Sequence, residues 1–362
     1  MGEETVLRPV RGMKIVAIVA TAGLAFAAAA CSKPEEAKPG ATAGTAYKAC
    51  MVTDTGGIDD HSFNASTWAG MEAAKAANGS IAISNVASNA LTDYEPNLTN
   101  LVNQNCDYIQ AVGGLMTDAT AKVAKANTAK QFAIVDSNPG LPNVYPLEFE
   151  TQEAAYLAGY LAAGYSKTGK VGTYGGLPIA PVTIFMDGFA DGVKKYNEAK
   201  GKNVQLLGWD KATQKGLFAN TFTDQTAGKK QSDTLVAQGA DVIFPVAGGT
   251  GLGTAANAGT KYAVIWVDAD GFVTTPYGSV MLTTVVKNMT DGVKDALGKA
   301  AGQKGTLLTG GFKGTLANKG VSLAPYHDFD SKIDAALKAE VEALKADIIS
   351  GKIKVESPSQ PK

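Results

Sequence analysis

The 362 residues carry 33 basic and 34 acidic side chains, a net charge of −1, with 41 glycines and only 7% aromatics. Without a basic run the chain cannot track a phosphate backbone, so nucleic acid is not an expected partner. Three cysteines and two histidines that lie far apart, His61 and His327, offer no cluster of metal ligands, and no cofactor is expected.

Arg8, Arg11 and Lys14 precede an uncharged run over 15–30, and Cys31 follows three alanines. This is an export signal over 1–30, excluded from fold reasoning. Cleavage before Cys31 and lipidation of its thiol is the sharper expectation. Plain cleavage or a retained anchor is the alternative, since Ala28 stands where such motifs usually carry leucine. Residues 31–46 are polar and contain proline, as a disordered tether would. The mature protein is expected outside the cytoplasm, held to the cell membrane by its lipid. No later apolar segment is long enough to span a bilayer.

About 315 residues remain, more than one core usually organises, so two lobes are expected. Strands are predicted at 47–53, 81–86, 108–112, 132–135 and 144–149, with helices at 63–77, 94–103 and 117–126 between the first four. A second series follows: helix 151–166, strand 170–174, helix 182–200, strand 204–208, helix 227–238, strand 242–246, helix 251–258 and strand 263–268. The alternation specifies an α/β fold, each lobe a parallel sheet flanked by helices. From Met281 a strand, a helix to residue 300, a glycine-rich segment and a charged helix over 330–350 are expected to cross back between lobes. That division assigns 47–149 plus 269–312 to the N-terminal lobe and 150–268 plus 313–356 to the C-terminal lobe.

Open parallel sheets bind ligands beyond the carboxyl ends of their strands. Those ends carry Asp54, Gly113 and Gly114, Asp136, Gly175 and Gly176, the 247–253 loop, and Asp268 with Asp270. Several carboxylates suit a ligand rich in hydroxyl or ring N–H donors and would repel a phosphate. After the first strand, Gly56 and Gly57 permit unusual backbone angles, Asp60 or Ser62 can cap the next helix, and Phe63 stands at the mouth of a cleft. Asp59, Asp60 and His61 otherwise read as a solvated cap. Gly249 and Gly251 depart from dinucleotide-binding spacing and point to close backbone approach by a neutral ligand. Cys50 and Cys106 lie on or beside neighbouring strands; a disulfide and two free buried thiols both fit. No paired acid and base, and no nucleophile with an adjacent base, marks a catalytic site.

Five segments then carry a family resemblance: Val-Thr-Asp-Thr-Gly-Gly-Ile-Asp-Asp-His-Ser-Phe-Asn over 52–64, Phe-Glu-Thr-Gln-Glu-Ala-Ala-Tyr-Leu-Ala-Gly-Tyr over 149–160, Gly-Ala-Asp-Val-Ile-Phe-Pro-Val-Ala-Gly-Gly-Thr-Gly over 239–251, Val-Asp-Ala-Asp over 267–270, and Leu-Ala-Pro-Tyr over 323–326. In this order they resemble the basic membrane protein family, lipoprotein receptors of ABC importers that bind purine nucleosides. The resemblance implies a periplasmic-binding-protein type I fold with the ligand between the lobes, a permease as partner and a monomeric receptor. Phe63 looks like one ring stacked on the base and Phe222 like the other, with Phe218 near enough to be in register instead. Asn64 and Asp136 are similar to base-edge or loop contacts. Asp54, Asp268 and Lys287 look like the ribose-side group. Where the family usually has Asp-Gln, this chain reads Asp270-Gly271. A sensor lipoprotein signalling to a membrane partner, or a receptor for another small polar ligand, is the alternative.

Overall fold

The computed structural model describes residues 46–362; the leader, Cys31 and the tether through residue 45 lie outside the described residues. From Tyr47 the chain runs β1 (Tyr47–Val52), α1 (Phe63–Ala77), β2 (Ile81–Val86), α2 (Tyr94–Asn103), β3 (Tyr108–Val112), α3 (Thr117–Ala126), β4 (Gln131–Val135) and β5 (Val144–Phe149). The second series is α4 (Thr151–Tyr165), β6 (Lys170–Gly175), α5 (Ala180–Lys200), β7 (Gln205–Leu207), β8 (Trp209–Asp210), β9 (Lys215–Gly216), α6 (Gln225–Ala237), β10 (Val242–Val246), α7 (Gly251–Ala258) and β11 (Ala263–Asp268). It ends with α8 (Gly271–Thr274), β12 (Met281–Lys287), α9 (Met289–Gly302), β13 (Phe312–Gly314), β14 (Val321–Leu323) and α10 (Ala335–Ile349).

One sheet has the order β13-β5-β4-β3-β1-β2 and the other β14-β12-β11-β10-β6-β7. Within them all pairings are parallel except β12 with β14. Strands β3, β4 and β10 are buried at every position, as strands covered on both faces must be. Among the described residues, no helix is long and apolar enough to cross a membrane.

The strand at 281–287, expected in the first lobe, belongs to the second sheet: β12 lies between β11 and β14. Its sequence neighbour α9 returns to the first lobe and packs on α1, where the backbone of Thr290 lies too close to Gly70 for a side chain there. A strand and the helix after it thus serve different lobes. The final helix starts at Ala335 rather than 330 because Asp334 caps it, accepting from Ala336 N at 2.7 Å, after a tight turn over His327–Lys332.

The chain crosses between sheets three times, around Glu150, Asn288 and residues 315–320. The crossings are stitched together. Glu150 N donates to the Gly314 carbonyl at 2.8 Å, Asn288 N donates to the Gly320 carbonyl at 2.8 Å, and Lys313 pairs with Glu150 at 3.1 Å. Behind them α4 packs tightly on α5. A Cβ on Gly159, Gly188 or Gly192 would run into a carbonyl of the facing helix.

Cys50 and Cys106 form a disulfide, with Cα atoms 6.0 Å apart. Cys50 lies on β1, opposite Ile109 of β3, and Cys106 in the turn that leads into β3; both are fully buried. Of the two readings open in the sequence, the bridged one is present, and such bonds persist in oxidising compartments. Closing a loop with 56 residues of separation, the bond is expected to contribute about 2–4 kcal/mol. Urea unfolding of Cys50→Ala/Cys106→Ala against the oxidised protein measures it. An unchanged midpoint would remove the bond from the account of stability.

Candidate functional site

The carboxyl ends of both sheets face a common cleft with about 630 Å³ of empty space, some of it open to solvent. Asp54 enters directly after β1. Its Oδ1 accepts from Asn64 Nδ2 at 2.6 Å and Gly56 N at 3.0 Å, and its own N donates to Asn64 Oδ1 at 3.2 Å. Asn64 also donates to Asp60, is 1% exposed and does not line the cleft. Contrary to its expected role as a ligand contact, it orients Asp54, because its amide is spent on the two carboxylates.

Asp60 also differs from its reading as a solvated cap. It is 6% exposed and accepts from the backbone N–H groups of Ser62, Asn64 and Ala65 at 2.8–3.1 Å. It caps α1 from inside the cleft wall, whereas Ser62 makes no capping bond. Asp59 and His61 remain exposed.

Asp136 follows β4 and Asp268 ends β11, one on each sheet, with backbone φ of 61° and 69°. Side chains adopt this left-handed region rarely, and strain of this kind concentrates at functional sites. Lys287, the last residue of β12, lies between them: its Nζ is 2.6 Å from Asp136 Oδ2 and 3.8 Å from Asp268 Oδ1. The same ammonium stands 4.8 Å from the Phe63 ring centre and 5.2 Å from that of Phe185. Among the described residues lining the cleft, Lys287 is the one cation facing four carboxyls.

Burial therefore dominates the acidity of these groups. It pushes Asp54 up to about 6, against the hydrogen bonds from Asn64 and Gly56 that favour its ionised form. Burial raises Asp268 to about 7, opposed by Lys287 and reinforced by the neighbouring carboxylates. Asp136 and Asp60 are raised for the same first reason, with Lys287 opposing at Asp136 and backbone donors at Asp60. An excess of acceptors over donors is left for a ligand to satisfy.

The other walls are apolar. Phe63 comes from the first turn of α1 and Phe222 from the loop before α6, so each lobe contributes a ring. Phe218 instead packs edge-on to Trp209, 6.0 Å between centroids, and does not reach the cleft. Phe185, Ile179, Pro181 and Val182 add a face from the start of α5 that motif reading missed. The sign available in sequence was an apolar run beginning with proline after a strand end, which a buried helix shares. Gly249 lines the cleft beside Phe222, but Gly251 does not: it sits against the Trp266 ring at the start of α7. Trp266 also explains Gly271, where a Cβ would lie 2.6 Å from the indole. Asp270 is held by His327 at 2.7 Å and is absent from the lining.

Over residues 47–358 the sequence matches the Bmp family, described as ABC transporter substrate-binding protein PnrA-like. The chain belongs to this family. Among Bmp relatives, an ABC transporter nucleoside-binding protein, BmpA, of Lactococcus lactis subsp. cremoris is 31% identical, over 94% of this chain and 99% of its own. The CD4+ T-cell-stimulating antigen of Listeria monocytogenes is 34% identical, over 87% and 89%. A solved ABC transporter solute-binding protein from Aeropyrum pernix K1 superposes with a TM-score of 0.77 at 24% identity, covering 86% of this chain and 93% of that one. The architecture is that of type I periplasmic binding proteins. This Bmp protein is thus a substrate-binding protein of an ABC transporter, and its cleft is the place to look for the substrate.

Proposed function

We propose that the protein is an extracytoplasmic receptor that binds purine nucleosides between its two lobes and delivers them to an ABC permease. Cys31 is its lipid anchor. One observation carries the ligand class: two phenylalanines, one from each lobe, line a cleft whose polar side chains are four carboxyls around a single ammonium. Aromatic faces hold a planar base by stacking, and ionised carboxylates accept from ribose hydroxyls and ring N–H groups. A phosphate would meet the carboxyls. The relative in Lactococcus lactis, named as nucleoside-binding, supports the same reading.

A thermal-shift screen of residues 46–362 with nucleosides, free bases, nucleotides, sugars and amino acids tests it, since a ligand of the folded state raises the melting temperature. Shifts with adenosine, guanosine or inosine and not with their phosphates are expected. Shifts confined to sugars or amino acids would leave the receptor and overturn the nucleoside. Phe63→Ala and Phe222→Ala are each expected to weaken nucleoside binding by about 1–3 kcal/mol, the usual worth of a stacking contact. Titration calorimetry checks this; unchanged affinity in both would mean that the base does not lie between these rings.

A further inference from the structure

Of the two phenylalanines in the cleft, Phe63 is placed by a helix, whereas Phe222 stands in an irregular segment and needs another cause for its position. That segment is first paired to the end of β6. Gly175 N donates to the Leu217 carbonyl at 3.0 Å, and Ala219 N donates to the Gly175 carbonyl at 2.9 Å. Further on, the fully buried Thr250 fixes the backbone: its N donates to the Phe222 carbonyl at 3.0 Å and its Oγ1 to the Thr221 carbonyl at 3.3 Å.

Two successive glycines then receive the two rings of this segment. A Cβ on Gly175 would lie 2.6 Å from Phe218 Cε1, and one on Gly176 nearer still to Cε1 and Cδ1 of Phe222. Carbon atoms do not approach so closely, so each ring occupies the place of a missing side chain. Phe218 is thereby left to Trp209 and Phe222 to the cleft. At Gly176 the three atoms nearest to the absent Cβ all belong to the Phe222 ring, and the residue is not among the glycines with positive φ. Its backbone would accept alanine; the ring is what excludes it. Phe222 lines the cleft and Gly176 does not, so the glycine lies behind the ring.

We infer that Gly176 is a positioning residue for substrate binding: its missing side chain is the seat that holds the Phe222 ring back from the cleft and so keeps room for a planar base against that ring. The inference rests on the nucleoside reading of the cleft. With the backbone of the segment fixed by Gly175 and Thr250, a ring pushed from behind can yield only by rotating about its own side-chain bonds, toward the space it already faces. A methyl group at 176 therefore has two effects at once. It turns the stacking face out of place, and it drives the ring into the volume that the base needs.

Titration calorimetry with adenosine, inosine and guanosine on the wild type, Gly176→Ala, Phe222→Ala and Gly176→Ala/Phe222→Ala tests it, because a double-mutant cycle separates an effect that passes through the ring from one that does not. Gly176→Ala is expected to weaken binding at least about tenfold, the order of one lost stacking contact. Once the ring is gone the methyl group has nothing to displace. The double variant is then expected to bind within about threefold of Phe222→Ala, and no more weakly than Gly176→Ala. An alanine that merely loosened the fold would weaken binding with or without the ring. Wild-type affinity in Gly176→Ala or in Phe222→Ala would refute the inference, as would a double variant that loses the full Gly176→Ala factor on top of that of Phe222→Ala. A Gly176→Ala protein without a melting transition would refute it too, since the ring would then have no room to yield into. In each of these cases the wild type still binds nucleosides. Absence of binding by the wild type would instead overturn the nucleoside reading itself, and this inference with it.

Discussion

Lys287→Met is expected to destabilise the ligand-free protein by about 3–5 kcal/mol at neutral pH, the usual cost of leaving one member of a buried ion pair without its partner. Methionine keeps most of the stem that packs near Phe63 and Phe185, so the loss isolates the ammonium. With Nζ 2.6 Å from Asp136 and 3.8 Å from Asp268, that ammonium compensates carboxylates contributed by both sheets. Without it the carboxylates repel one another across the cleft, and the lobes should rest further apart. The sign of the pH dependence follows. Removing the cation raises the folded-state pKa of Asp136 further above its unfolded value. The defect is then largest at neutral pH and shrinks as pH falls toward about 4, where the carboxyl is protonated in both states. Urea unfolding at pH 7.5 and pH 5, with small-angle scattering for lobe separation, measures both effects. Adding Asp136→Asn should recover part of the loss, because a neutral amide needs no counter-ion. A variant as stable as wild type at pH 7.5 would show that the pair does not hold the cleft together.

Nucleoside affinity is expected to rise from pH 5 to about 7.5 and then level off, by up to about tenfold per pH unit for each carboxyl that must ionise. Asp54, raised to about 6, and Asp268, raised to about 7, titrate in this window. Ligand hydroxyls donate best to ionised carboxylates, so binding draws the proton off and releases it to buffer. The stability of the empty protein should move the other way. A carboxyl whose folded pKa is raised contributes stability that is fully present below its unfolded value near 4 and is lost as pH rises through 6 and 7. Calorimetry at pH 6.5 in two buffers of different ionisation enthalpy counts the protons released on binding. A pH-independent affinity with no proton release would mean that neither carboxyl meets the ligand.

The local reading of the chain came close because each element carries its own signals. The apolar run that ends at Asp54, the helix that opens at Phe63 and the repeated alternation through Asp268 report local preferences that packing then reinforces. Asn64 was misread for a physical reason: an amide beside two carboxylates satisfies them before any ligand arrives, and nothing in the motif shows where its hydrogen bonds go. Gly251 was misread because a glycine tolerating close approach looks the same in sequence whether the neighbour is a ligand or, as here, the ring of Trp266.

The alternation of strands and helices, the doubled series behind two lobes and the strand-end positions of Asp54, Asp136 and Asp268 are all consequences of periodicity and residue chemistry along one stretch of chain. Sheet membership is different in kind. That β12 joins the second sheet while α9 returns to the first depends on which edge is open when the rest has folded. The same holds for the site. Lys287 meets Asp136 across 151 residues, the faces of Phe185 and Pro181 turn into the cleft, and the acidity of Asp268 is set by how completely water is excluded. Burial and long-range pairing belong to the assembled molecule, and they make a row of strand-end carboxylates into a binding site.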